Sequence, residues 1–170
     1  MTKELLFAVD PSIKAMGFAV FFSYAAKRQL KHSAVIHPPN KAKSLGWVER
    51  LDLMVSQLTD LMDYWIDHYD VEPTIITVAI ELPDYRTEAA ANSGSIEKLV
   101  ACVFTIRAIC QARGYTPLLF PVRVWKGNVP KSVTQRRIIR DWGWTGTDHN
   151  EADAVGIGSF AIANRSRGLK

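Results

Sequence analysis

The stretch between Pro73 and Pro83 limits the possible folds of this chain more than any other. Between the prolines runs Thr74-Ile-Ile-Thr-Val-Ala-Ile-Glu81-Leu82, continuously β-branched or apolar with one charge near its end. β-Branched side chains are stiff at χ1 and favour extended backbone. The prolines bound the strand, since neither can donate to a ladder. A strand with one wet face alternates polar and apolar residues, and this one does not. It predicts a central strand over 74–82, buried on both sides, the habit of parallel sheets covered by helices.

The surrounding pattern supplies the layers. Leu5 to Val9 reads as a strand stopped by Asp10-Pro11, Gly17 to Tyr24 as a second, and Lys31 to His37 as a third, broken by Pro38-Pro39. Asn40 to Lys43 is a polar, basic loop. From Ser44 to Tyr69, Trp47, Val48, Leu51, Met54, Val55, Leu58, Leu61, Met62, Trp65 and Ile66 recur at amphipathic helical spacing, with Ser44 as the expected cap. Ser95 to Arg113 predicts a helix with Ser95 as N-cap and Gly114 as stop. It is apolar almost all round, so it should be covered on more than one side. A strand over Leu118 to Val124, a basic helix over Lys131 to Trp142 and an Ala- and Gly-rich helix over Asn150 to Asn164 complete the chain. The order β-β-β-α-β-α-β-α-α predicts an α/β three-layer fold: a mixed five-stranded sheet with helices on both faces. With no repeat or linker, residues 1–170 read as one domain, and a chain of this length buries roughly 70% of its unfolded surface.

No apolar run reaches the roughly 20 residues of a membrane span, so no membrane association is expected. Met1-Thr2-Lys3-Glu4 leads straight into a strand, without the pattern of a signal peptide. Two cysteines, Cys102 and Cys110, cannot build a disulfide scaffold or a zinc site alone. They read as core residues of the central helix, and a reducing cytoplasm is the expected compartment.

Charge is unevenly placed. There are 21 Lys and Arg against 17 Asp and Glu, a net of +4. Arg123, Lys126, Lys131, Arg136, Arg137 and Arg140 fall between Pro121 and Arg140 with no acid among them. The remaining 15 bases face 17 acids, a net of −2. A short stretch carrying the whole excess fits a phosphate-binding surface; a solvated basic helix face is the plainer alternative.

Three acids stand where acids are awkward. Asp10 ends the first strand, Glu81 ends the fourth, and Asp153 opens the last helix just before its apolar face. In a mixed sheet the first and fourth strands can be parallel neighbours, which sets Asp10 beside Glu81. Such carboxylates repel and shift each other's pKa, and a divalent cation relieves the repulsion. Oxygen-only ligands favour Mg²⁺ or Mn²⁺. Each acid alone has an ordinary explanation: a strand-end turn, a surface pair, or a carboxylate favouring a helix N-terminus.

Taken together, these residues resemble RuvC-like Holliday junction resolvases. Phe-Ala-Val-Asp10-Pro-Ser-Ile-Lys-Ala-Met-Gly17 resembles their opening, and Ala-Ile-Glu81 their second acidic motif. Asn92-Ser93-Gly94-Ser95…Lys98-Leu99 resembles the start of their central helix, and Pro121…Trp125-Lys126-Gly127-Asn128…Lys131 their basic segment. His149-Asn150-Glu151-Ala152-Asp153-Ala154 resembles their closing Asp-Glu-Ala-Asp-Ala helix start. The motifs span nearly the whole chain in order, and its shortness and divergence resemble a phage member more than a chromosomal one. The resemblance implies an RNase H-like fold and a homodimer acting on branched, four-way DNA. It also implies an acidic site for two Mg²⁺ ions, with Mn²⁺ as a substitute and no small-molecule cofactor. By that likeness Asp10 would bridge the ions, Glu81 would bind one, and Asp153 with its helix neighbour the other. Lys126 and Lys131 would hold backbone phosphates, with Arg123, Arg136 and Arg137 beside them.

The family's fourth ligand falls at Asn150, where an aspartate is usual and a histidine occurs. Asn150 could serve as a neutral ligand, His149 could replace it on the same helix face, or the chain could carry an Asp-to-Asn change. Glu151, about 200° round the helix from Asp153, is the poorest candidate. Tyr85, followed by Arg86, is the nearest counterpart of an aromatic that stacks on bases at the junction centre; an ordinary loop tyrosine is the alternative. His32, His37 and His68 read as surface residues, and at least two of Trp125, Trp142 and Trp144 as core. Two other functions compete with junction resolution: a nuclease for RNA–DNA hybrids or plain duplexes, and a nucleic-acid-binding module without catalysis.

Overall fold

One mixed sheet organises the chain in the order β3-β2-β1-β4-β5. The computed structural model describes residues 2–25, 27–83 and 95–166. The strands are β1 (Glu4–Asp10), β2 (Met16–Tyr24), β3 (Lys27–Ile36), β4 (Ile76–Leu82) and β5 (Thr116–Pro121). The helices are α1 (Trp47–Tyr69), α2 (Ser95–Ala112), α3 (Val122–Trp125), α4 (Lys131–Trp142) and α5 (His149–Ser166). β1 to β3 form an antiparallel meander, while β4 runs parallel to both β1 and β5. The fully buried run of β4 therefore lies between two parallel partners, as its composition requires.

The pleat divides the core in two. Leu5, Phe7 and Val9 of β1, Phe18 and Val20 of β2, and Ile76, Val78 and Ile80 of β4 point to one face. There they meet Leu51, Met54, Val55, Leu58 and Met62 of α1 and Cys102, Val103, Ile106 and Cys110 of α2. Leu6, Ala8, Ala19, Phe21 and Ala79 point to the other face, against Ala152, Ala154, Val155, Ile157, Ala161 and Ile162 of α5 and Ile138 of α4. Alanines recur on both sides of this second face, Ala8, Ala19 and Ala79 against Ala152, Ala154 and Ala161, so α5 lies close to the sheet. A Cβ at Gly158 would stand 2.1 Å from the Phe21 ring.

Several boundaries differ from the sequence expectation. β5 ends at Pro121, and Val122–Trp125 turns into a short helix rather than continuing a strand to Val124. Pro121 cannot donate to a ladder, and it takes the N-cap position of α3. Ser44 does not cap α1: Asn40–Ser44 forms a 3₁₀ turn, and Gly46 is the N-cap, accepting the Arg50 N–H at 3.2 Å. Pro73–Ile75 is likewise a 3₁₀ turn, so β4 starts at Ile76. β3 begins earlier, at Lys27; as an edge strand it tolerates the exposed polar run Lys27-Arg28-Gln29. α5 begins at His149 because Asp148 caps it, its Oδ1 accepting the Asn150 N–H at 2.8 Å. α2 stops at Ala112, and Gly114 takes φ +78°, the left-handed conformation expected after a helix. Among the described residues no helix is long and apolar enough to cross a membrane.

Candidate active site

Strand parity decides where the acids point. Asp10 follows Leu6 and Ala8 at the even positions of β1, and Glu81 follows Thr77 and Ala79 at the odd positions of β4. Both therefore face α5. The register pairs Val9 with Ile80, so one step on, Asp10 and Glu81 come abreast on strands roughly 4.8 Å apart. Asp153 lies in the second turn of α5, which covers this face.

The approach of α5 depends on Gly17. Gly17 pairs directly with Asp10 across β1 and β2. A Cβ there would stand 2.0 Å from the backbone oxygen of Asn150 and 3.2 Å from Cβ of Ala154. Only a residue without a side chain lets the first turn of α5 rest on β2 directly beside Asp10.

The three carboxylates feel one another. Burial pushes Asp10 well above the usual aspartate range, and the charges of Glu81 and Asp153 add to it; Lys126 and Lys131 pull the other way. Burial, then the charge of Asp153, pushes Glu81 up to about 7, opposed by a hydrogen bond from Trp125 and by Lys126. The site thus holds more negative charge than its surroundings stabilise.

Two neighbouring residues at the end of α3 restrain the acids. The Trp125 indole Nε1–H donates to Glu81 Oε2 at 2.9 Å. The Lys126 ammonium donates to Asp153 Oδ1 at 2.6 Å, and these two side chains are only 12% and 16% exposed. Among the described residues no three His, Cys, Asp or Glu side chains are gathered closely enough to hold a metal ion. The acids share a site, but each of two is tied to its own donor. The donor set still suits a hard divalent cation: carboxylates are the ligands such ions take, and the raised Asp10 and Glu81 call for positive charge. Asp10, Glu81 and Asp153 would hold it, with the half-buried Asn150 one turn before Asp153 on the same helix face.

The remaining residues separate clearly. Lys131 is exposed at the start of α4, close enough to Asp10 to lower its pKa. Arg123, Arg136 and Arg137 are exposed, and Arg137 lines a cleft of about 160 Å³ with Trp125, Lys126 and Phe160. His149 is exposed. Glu151 is turned away from the acids, accepting hydrogen bonds from Ser33 Oγ at 2.5 Å and Trp144 Nε1 at 3.0 Å. Tyr85 and Arg86 lie outside the described residues. Burial pushes the Cys102 and Cys110 thiols up to about 12, which leaves them inert core residues. Trp144 is buried, and Trp142 packs edge-on against Phe21 at 4.8 Å between ring centroids.

Sequence reasoning missed the roles of Trp125 and Gly156. A Cβ at Gly156 would lie 2.7 Å from the Trp125 ring, so this glycine seats the indole against α5. The available signal was the position of Trp125, directly before a lysine already assigned to the site.

No family model matches the sequence, and no curated protein matches it. Solved structures share the fold. Thermus thermophilus RuvC in complex with a Holliday junction substrate has a TM-score of 0.68 at 16% identity, covering 98% of this chain and 97% of that one. The fowlpox virus resolvase in complex with Holliday junction DNA reaches 0.58 at 14% identity, covering 94% and 99%. The yeast mitochondrial Holliday junction resolvase reaches 0.56 at 12% identity, covering 96% and 82%. The chain has the α/β fold of these resolvases, with its mixed five-stranded sheet.

Proposed function

We propose that this chain is a divalent-metal-dependent endonuclease that resolves four-way DNA junctions. The observation that carries the reading is the convergence of Asp10, Glu81 and Asp153, from three separate elements, at the C-terminal ends of β1 and β4 under α5, near enough to raise the pKa of Asp10 and Glu81 and beside a basic segment. Two of the proteins that share its fold were solved with Holliday junctions, which favours branched DNA as the substrate. Asp10, Glu81, Asp153 and Asn150 are the residues that would hold Mg²⁺ or Mn²⁺. The bound ions would polarise the scissile phosphate and lower the pKa of the attacking water. Lys131 sits where it can meet a backbone phosphate near Asp10, and Arg123, Arg136 and Arg137 continue the basic surface.

A junction presents two equivalent strands, so a twofold dimer would supply two sites. The outer face of α2 is the proposed contact, where Phe104 is 44% exposed and Arg107 lies over its ring at 5.9 Å.

Asn150 favours a second reading, a junction-binding protein with weak or absent cleavage. Two divalent ions bring four positive charges, and three carboxylates leave the site short of one anion. Cleavage of a synthetic four-way junction beside a matched linear duplex, with and without Mg²⁺, tests both readings. Mg²⁺-dependent cutting of the junction alone supports the first. Tight junction binding without cutting, unchanged by Asn150→Asp, supports the second.

A further inference from the structure

We propose that Lys126 is the site's own counter-cation: it competes with the divalent metal for Asp153, and metal entry releases it to the substrate. The inference rests on the metal-nuclease reading and adds a device to it. The ammonium lies 2.6 Å from Asp153 Oδ1, among mostly buried side chains. An oxygen that accepts from an ammonium at this distance cannot also give that lone pair to a metal ion. Two cations crowded onto one carboxylate repel each other, more strongly where water is excluded.

Lys126 is held there by its surroundings. It follows Trp125, whose indole is pinned to Glu81 at one edge and to Gly156 at another. Its Nζ lies 5.1 Å from the Trp125 ring, a cation–π distance. Its backbone N–H closes α3 on the Val122 carbonyl at 2.9 Å. Only the flexible side chain beyond Cβ is left to move. Lys131, exposed on α4, influences Asp10 without such a contact. The two lysines that look alike in sequence therefore have different duties.

Displaced from Asp153, the Lys126 ammonium remains beside the acids, where a scissile phosphate would lie. Metal binding and DNA binding then favour each other, and by linkage the coupling is equal in both directions.

The test is Mn²⁺ titration of the protein without DNA, by calorimetry or electron paramagnetic resonance. Wild type is compared with Lys126→Gln, Lys126→Met and Lys126→Arg, with folding checked by near-UV circular dichroism. The neutral variants should bind Mn²⁺ roughly tenfold tighter or more, given the interaction of close charges in a protein site, and Lys126→Arg should stay near wild type. Junction affinity should move the opposite way. Wild type should bind a four-way junction more tightly in Ca²⁺ than in EDTA, and the neutral variants should lose most of that gain. Equal or weaker Mn²⁺ binding in folded neutral variants overturns the inference and leaves the nuclease reading standing. If neither wild type nor any variant binds Mn²⁺, both fall.

Discussion

Gly17→Ala is the sharpest perturbation of how the site is built. The added Cβ would stand 2.0 Å from the Asn150 carbonyl oxygen and 2.6 Å from its carbon. Ordinary contact begins at 3.4 Å, so the first turn of α5 must retreat by about 1.4 Å. The obstacle is helix backbone, not the end of a flexible side chain, and the rest of α5 is packed on Ala8, Ala19 and Ala79. Overpacking of this kind costs about 1–3 kcal/mol, and a backbone obstacle points to the upper half, about 2–3 kcal/mol. In a domain of this size that is a fall of roughly 4–12 °C in melting temperature. Asp153 moves with α5, while Asp10, paired with Gly17, stays on the sheet. A misplacement of about 1 Å in a catalytic group can cost about 10²-fold in rate. Urea unfolding measures the first effect. Junction cleavage by Gly17→Ala in an Asn150→Asp background measures the second. A variant with unchanged stability and unchanged cleavage would mean that α5 does not rest on β2, and the derivation of the site would fail.

Other outcomes follow from the same geometry. Glu81 is raised from 4.5 to about 7 in the folded chain, so the native state binds its proton more tightly than the unfolded one. Stability should therefore fall as pH rises from about 4.5 to about 7, by up to about 3 kcal/mol at 1.36 kcal/mol per unit. Urea titrations in EDTA should show this slope, and Glu81→Gln should lessen it, with the buried Asp10 carboxyl, raised in the same direction, supplying the remainder. Asn150→Asp should raise Mg²⁺-dependent junction cleavage by orders of magnitude while leaving junction affinity in EDTA nearly unchanged; rapid cutting by the Asn150 protein, abolished by His149→Ala, would assign the ligand to His149 instead. Lys131→Ala should weaken binding to all junctions alike and reduce the salt slope by about one charge, read by anisotropy against salt concentration. Glu151→Gln should leave cleavage nearly unchanged in the Asn150→Asp background, because Ser33 and Trp144 hold Glu151 away from the acids.

The layers were legible where periodicity was strong. The β4 run and the α1 spacing announce themselves, because burial on two faces or on one stripe leaves a mark on every residue. The acids were legible as oddities, Asp10 and Glu81 ending apolar runs and Asp153 standing just before one. That Asp10 and Glu81 come together is expected from parallel pairing of the first and fourth strands; the exact register of β1 on β4 and the closeness of α5 were not legible, since they depend on pairing and packing that no local pattern states. The end of β5 was misread because Val122 and Val124 favour strands, while Pro121 beside them had already ended the ladder. The pairing of Lys126 with Asp153 was hidden for the same reason: it depends on that turn. Lys126 and Lys131 carry the same charge in the sequence, and only the fold buries one against an acid and leaves the other exposed.

The most direct measurement of the central claim, that Asp10, Glu81 and Asp153 form one cation site, is anomalous diffraction from crystals grown with Mn²⁺ and a four-way junction. Mn²⁺ should lie between these three side chains, as two ions separated by roughly 3.5–4 Å, with the Lys126 ammonium moved off Asp153. Mn²⁺ bound elsewhere, or no ion at these residues while Lys126 remains on Asp153, would contradict the claim.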